Sequence, residues 1–228
     1  MTLSDEVRGP FALSGATNWA DGAALDAELV EAAGGAVTIV PTGAAYERPE
    51  QLAAAGIAHF GALGAKADLA MVLRRADAED AELAAAVRRS SFLYLCGGSP
   101  LHMRAVLKDS RVLDSIVAAW RDGAVIAGQG AGAIVLSDPM VDPRGGAFTV
   151  GLGLVRNVAA IASAATAGGS GLRRTISLLP SECALVDLGP HGAITRSPEG
   201  AWRSIGDVEV YVDGVPAGLE ALAGKPVH

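Results

Sequence analysis

Residues 9–136 alternate between short apolar runs and amphipathic stretches, and this alternation limits the fold more than any other feature of the chain. The runs at 9–13, 36–40, 68–73, 92–96 and 124–127 are four to six residues long and rich in Val, Ile, Leu and Phe. They are too short for helices and uninterrupted by polar residues at most positions, as expected of strands buried on both faces. Between them, helical patterns run over 21–33, 48–63, 78–89, 101–107 and 110–121, and another helix is expected after Gly128-Gln129-Gly130-Ala131-Gly132-Ala133. The boundaries are marked by Ser14-Gly15, Gly34-Gly35, Pro41-Thr42-Gly43 and Gly97-Gly98-Ser99-Pro100, the residue types that end strands and helices. A β-α alternation of this kind predicts an α/β fold with a mainly parallel sheet between two helical layers.

From about Val141 the strands become shorter and turns more frequent. Strands are expected at 158–161, 184–188, 193–196, 202–205 and 209–212, some in antiparallel hairpins, with a helix at 170–179. Ser197-Pro198-Glu199-Gly200 reads as a turn between two of them. No repeat, linker or low-complexity tract interrupts the chain, so residues 1–228 are read as one domain.

Composition narrows the function. With 50% hydrophobic and 19% charged residues, a 228-residue chain can bury a substantial core. A net charge of −7 argues against nucleic-acid binding, which needs a basic face. No apolar run reaches the roughly 18–20 residues of a membrane span. The polar, acidic start Met1-Thr2-Leu3-Ser4-Asp5-Glu6 is unlike a secretory signal and favours the cytoplasm. Cys96 and Cys183 lie in apolar surroundings and read as reduced core thiols. No His/Cys/Asp/Glu cluster has metal-ligand spacing, and no cofactor is implied.

The chemistry, if any, belongs at the glycine-rich junctions, because open α/β sheets bind ligands beyond the carboxyl ends of their strands. Strand 124–127 followed by Gly128-Gln-Gly130-Ala-Gly132 has the layout of a nucleophile elbow, G-x-S-x-G. The central residue should be Ser or Cys; here it is Gly130, which cannot form a covalent acyl intermediate. The segment also fits G-x-G-x-x-A, but a dinucleotide fingerprint follows the first strand and precedes an acidic residue at the end of the next. Here it follows about the fifth strand. A third reading is that the glycines only permit close helix–sheet packing.

Cys96-Gly97-Gly98-Ser99-Pro100 followed by Gly128-Gln-Gly-Ala-Gly-Ala133 resembles the cyanophycinase/dipeptidase E family of serine peptidases, within the class I glutamine amidotransferase-like superfamily. The resemblance continues through Pro41-Thr42-Gly43-Ala44, Ser137 to Gly146, Gly151-Leu-Gly-Leu-Val155 and the strands from Trp202 to Gly214. It implies a three-layer α/β/α sandwich with a flavodoxin-like core and a Ser-His-Glu triad that hydrolyses small, often acidic, peptides. At the matching positions this chain has Gly130 for the nucleophile, Ser163 for the histidine and Pro190 for the glutamate, with Glu182 in an alternative register. Because triad members act as a unit, their loss typically leaves only about a 10³–10⁴-fold effect from the oxyanion hole and binding.

What remains is an expected oxyanion-type nest of backbone N–H groups at Gly98, Ser99, Gly130 and Ala131. Arg104 and Arg144 are the candidate contacts for an anionic ligand. Ser99, Ser137, Ser163 and Cys96 are the conceivable replacement nucleophiles, while His191 reads as an exposed turn residue and His59 and His102 as surface or partly buried helix residues. The sequence thus points to a non-hydrolytic homologue in a ligand-binding or subunit role. Its expected partners are a small anionic ligand or peptide, a second copy, or an active relative. The competing reading is an active serine-type hydrolase of small acidic or isopeptide-like substrates, working with displaced residues.

Overall fold

The computed structural model describes residues 8–16, 18–162 and 169–228. The first half runs β1 (Phe11–Ser14), α1 (Ala23–Ala32), β2 (Ala36–Gly43), α2 (Pro49–Ala62), β3 (Lys66–Leu69) and α3 (Arg75–Ala78). It continues with α4 (Ala81–Arg88), β4 (Phe92–Gly97), α5 (Pro100–Leu107), α6 (Arg111–Arg121), β5 (Val125–Gln129) and α7 (Ala131–Leu136). The helix expected over 78–89 is α4 and begins at Ala81, because Asp80 caps it by accepting the Glu82 and Leu83 N–H groups, each at 2.8 Å, and Ala78 ends the short helix before it. Ser99 and Ser110 cap α5 and α6 in the same way.

Among the described residues, seven strands form one sheet in the order β13-β12-β1-β5-β4-β2-β3, where β12 is Ala193–Arg196 and β13 is Trp202–Ile205. Strands β1, β5, β4, β2 and β3 are parallel, and the hairpin β12–β13 joins antiparallel at β1. The chain leaves β2 for β3 on one side and returns to β4 on the other, which makes the β2/β4 boundary the topological switch point.

Both faces of the central strands β1, β4 and β5 are buried, as the continuous apolar runs require. In β4, Phe92, Tyr94 and Cys96 face Leu25, Leu29 and Phe60 of α1 and α2. Leu93 and Leu95 point the other way, into a core with Met103, Ile116, Trp120 and Ile134 of α5, α6 and α7. The period-2 alternation of a strand therefore feeds two helical layers.

The later strands are β6 (Ser137–Asp138), β7 (Met140–Val141), β8 (Phe148–Thr149), β9 (Val155–Arg156), β10 (Val158–Ala162), β11 (Ala184–Leu188), β14 (Val208–Val212) and β15 (Val215–Ala217). Six of them make a second sheet, β15-β14-β11-β10-β6-β9, and β7–β8 is a separate pair. Helix α8 (Gly169–Ser177) contributes Leu172 and Ile176 to the cluster around Ile161 and Leu185. The expected C-terminal strands thus divide between two sheets. The crossing lies between β11 and β12, where Gly15 N donates to the Gly192 carbonyl at 2.9 Å and Gly189 N to the Asp207 carbonyl at 2.8 Å. A Cβ on Gly15 or Gly192 would overlap backbone atoms there, so side chains are excluded from the crossing.

A carboxyl group on α1 is sealed in the core. Asp26 of α1 is 2% exposed and lies 2.8 Å from Nε2 of His59 of α2, a residue that is partly buried. Tyr94 also bonds to Asp26, and Trp19 packs against the His59 ring at 5.4 Å. Burial raises the Asp26 pKa from 3.8 to about 6, outweighing the opposing His59 and Tyr94 bonds. The folded state then binds more protons than the unfolded state between those values, so this contribution is full below about pH 4 and lost as pH rises through 6. Asp26→Asn should remove that slope. Urea melts of the two proteins should show the wild type losing roughly 3 kcal/mol relative to the variant between pH 4 and 7; parallel curves would exclude this origin.

Candidate functional site

The carboxyl ends of β1, β2, β4 and β5 open into a pocket of about 320 Å³. Gly15 and Ala16 come from the end of β1, Ala44 and Glu47 from the loop after β2, Gly97 and Gly98 from the end of β4, and Gln129, Gly130 and Ala131 from the β5–α7 turn. Leu52 of α2 and Ala162 of β10 complete the wall. The switch point and the glycine junctions therefore meet in one place, where an open α/β sheet binds ligands.

The β5–α7 turn has the form of an elbow. Gly130 has φ 55° and ψ −110°, a conformation open to glycine and strained by about 1–3 kcal/mol for other residues. Its N–H donates to the Ser14 carbonyl at 2.8 Å, tying the turn to β1. The three glycines of the turn differ in what they exclude. A Cβ on Gly132 would overlap the Leu95 carbonyl, and one on Gly128 would stand 2.5 Å from Gly132 C. Among the described residues, a Cβ on Gly130 would meet only the Ala16 carbonyl oxygen, at 3.8 Å, an ordinary contact. The outer glycines are demanded by close packing of α7 on the sheet; the central one is demanded by backbone conformation alone. The turn retains room for a side chain that this chain does not carry.

The expected nest departs from this picture at β4. The N–H groups of Gly98 and Ser99 both donate to the Gly43 carbonyl, at 3.1 and 3.0 Å, so neither is offered to a ligand. The cause is the close approach of the two junctions: Gly97, at φ 119°, lies directly against Gly43 and Ala44, where a Cβ would overlap backbone. Ser99 Oγ is used as the α5 cap, accepting from His102 N at 3.2 Å. Ala131 lines the pocket at the first position of α7, where helix geometry supplies no internal acceptor for its N–H.

The candidate anion contacts also lie elsewhere. Arg104 Nε donates to the Val150 carbonyl at 3.0 Å, and the exposed Arg144 holds Asp142 through Nε and a terminal nitrogen. Neither lines the pocket. The Arg144 guanidinium holds the Asp142 carboxyl below its ordinary value, a local pair within one turn. Pro190 is exposed in the β11–β12 turn and does not line the pocket; Glu182, of the alternative register, is exposed before β11. Ser163 lies outside the described residues.

The conceivable replacement nucleophiles that are described have structural roles. Ser137 is fully buried and its hydroxyl donates to the Ile134 carbonyl at 2.7 Å. Cys96 is buried, and burial pushes its thiol up to about 12, which suppresses the reactive thiolate. His191 is 67% exposed, His102 bonds through Nε2 to the Leu73 carbonyl, and His59 is held by Asp26. Among the described residues, the polar side chains lining the pocket are Glu47 and Gln129. Both were overlooked in the sequence, although Gln129 stands inside the glycine turn and Glu47 shortly after Pro41-Thr42-Gly43-Ala44. Gln129 is buried and donates through Nε2 to the Asn18 carbonyl at 3.0 Å, pinning the loop after β1 to the elbow.

The sequence profile of peptidase family S51 matches residues 11–145, more than half of the chain and all of the elements from β1 to the elbow helix. The chain belongs to peptidase family S51. Among solved structures, a peptidase from an acI-B1 actinobacterium is similar to it at 24% identity and a TM-score of 0.81, with 93% of each chain covered. A putative peptidase E protein from Listeria monocytogenes is similar at 16% identity and a TM-score of 0.61, with 90% of this chain and 98% of that one covered. At these identities the likeness is one of fold. No curated protein matches the chain. Two substitutions separate the roles of the S51 elbow glycines. Gly130→Ser should leave a soluble, folded protein whose melting midpoint falls by a few degrees to about 10 °C, from the strain at φ 55°. Gly132→Ala should cost more, because its Cβ has no space beside Leu95. Calorimetry of both variants orders the two effects.

Proposed function

We propose that this S51 protein is non-hydrolytic and uses the pocket at the sheet's carboxyl edge to bind a small ligand, as a sensor or as the inactive partner of a catalytic relative. Gly130 carries the reading: the elbow keeps its backbone geometry and the space for a side chain, yet the residue there has no oxygen or sulfur to attack a carbonyl. The surroundings agree. Among the described residues, no Ser, Thr, Cys or His lines the pocket, so neither a replacement nucleophile nor an imidazole base stands beside Gly130. The two N–H groups best placed to polarise a substrate carbonyl already serve Gly43.

Incubation with aspartyl dipeptides and with a fluorophosphonate probe tests this directly. Neither turnover nor stoichiometric labelling is expected, and either one would return the protein to the serine hydrolases. Gly130→Ser alone should also remain inactive, because the new hydroxyl would have no histidine within reach.

A further inference from the structure

We propose that the pocket selects a small primary ammonium compound with an apolar tail, held through Glu47, and rejects carboxylates. This rests on the binding-pocket reading and assigns its ligand class. Among the described residues, Glu47 is the one charged side chain that lines the pocket.

The carboxylate owes its position to Gly98. Its Oε1 is 2.7 Å from where a Cβ on Gly98 would stand, so any larger residue at 98 would push it away. The Gly97-Gly98 pair thus does two things: Gly97 lets the loop close onto Gly43, and Gly98 admits Glu47 beside the switch point of the sheet. The arginines that could have balanced this charge are elsewhere, on the Val150 carbonyl and on Asp142, and Arg48 extends towards Gln51 at 3.5 Å. The Gly98 and Ser99 amides, which would have served an anion, are taken by Gly43.

The pocket therefore presents an acceptor of formal charge −1 among Ala16, Ala44, Leu52, Ala131 and Ala162. An ammonium group donates to a carboxylate in a charge-assisted bond, whereas a carboxylate ligand meets like charge, and among the described residues no cationic side chain lines the pocket to offset it. The apolar wall suits a short branched hydrocarbon tail.

The test uses three probes of one shape: 3-methylbutylamine, 3-methylbutanol and 3-methylbutanoate. Each is titrated into the 15N-labelled protein while the Gly98, Gly130 and Ala131 amide signals are followed. The amine should saturate these shifts at about tenfold lower concentration than the alcohol, and the butanoate should leave them unmoved. Glu47→Gln, at an exposed position, should bring the amine to the level of the alcohol. The proposal is overturned if the butanoate binds as well as the amine, if Glu47→Gln leaves the amine affinity unchanged, or if no probe moves these amides. Failure of the non-hydrolytic reading shows separately, as turnover or probe labelling of the wild-type protein.

Discussion

The site depends on backbone meeting backbone at the carboxyl ends of the central strands. Helix α7 reaches the sheet only because Gly128 and Gly132 let its first turn lie against β4 at Leu95. The β4 loop reaches β2 only because Gly97 has no side chain. These contacts bring β1, β2, β4 and β5 to a common rim and leave a concave space above them. Larger residues at these positions would separate the layers and open the rim, whatever the rest of the core did.

The same closeness redirects the chemistry. Drawing the Gly97-Gly98 loop onto Gly43 satisfies two amides that a substrate carbonyl would otherwise use, since buried backbone donors seek partners wherever one is within reach. It also makes space for the Glu47 carboxylate in the pocket. A loop whose residues suggest anion binding thus contributes an anion of its own. The elbow shows the converse: its backbone geometry persists at Gly130, where glycine adopts φ 55° without the strain that a serine would bear.

The α/β alternation, the turn at 197–200 and the hairpin that flanks it were legible because each rests on local rules: period-2 burial, helix amphipathicity and the turn preferences of Pro and Gly. The strands at 184–188, 193–196 and 202–205 coincide with β11, β12 and β13. The helix expected over 78–89 starts three residues later, at Ala81, because Asp80 is a side-chain cap inside a pattern that is amphipathic on both sides. His59 reads from the sequence only as surface or partly buried, because periodicity marks which face a residue occupies and its buried partner, Asp26, is 33 residues away.

By itself the sequence determined the layered fold, the glycine-marked junctions and the absence of a nucleophile at the centre of the elbow, since each depends on residue identity and local spacing. Only the tertiary structure decided which groups face the pocket. It turned the Gly98 and Ser99 amides to Gly43, engaged Arg104 and Arg144 elsewhere, and brought Glu47 beside Gly98 across 51 positions of sequence. The reason is physical: hydrogen-bond partners and electrostatic neighbours are set by distance in space, and the order of parallel strands places residues from distant junctions side by side.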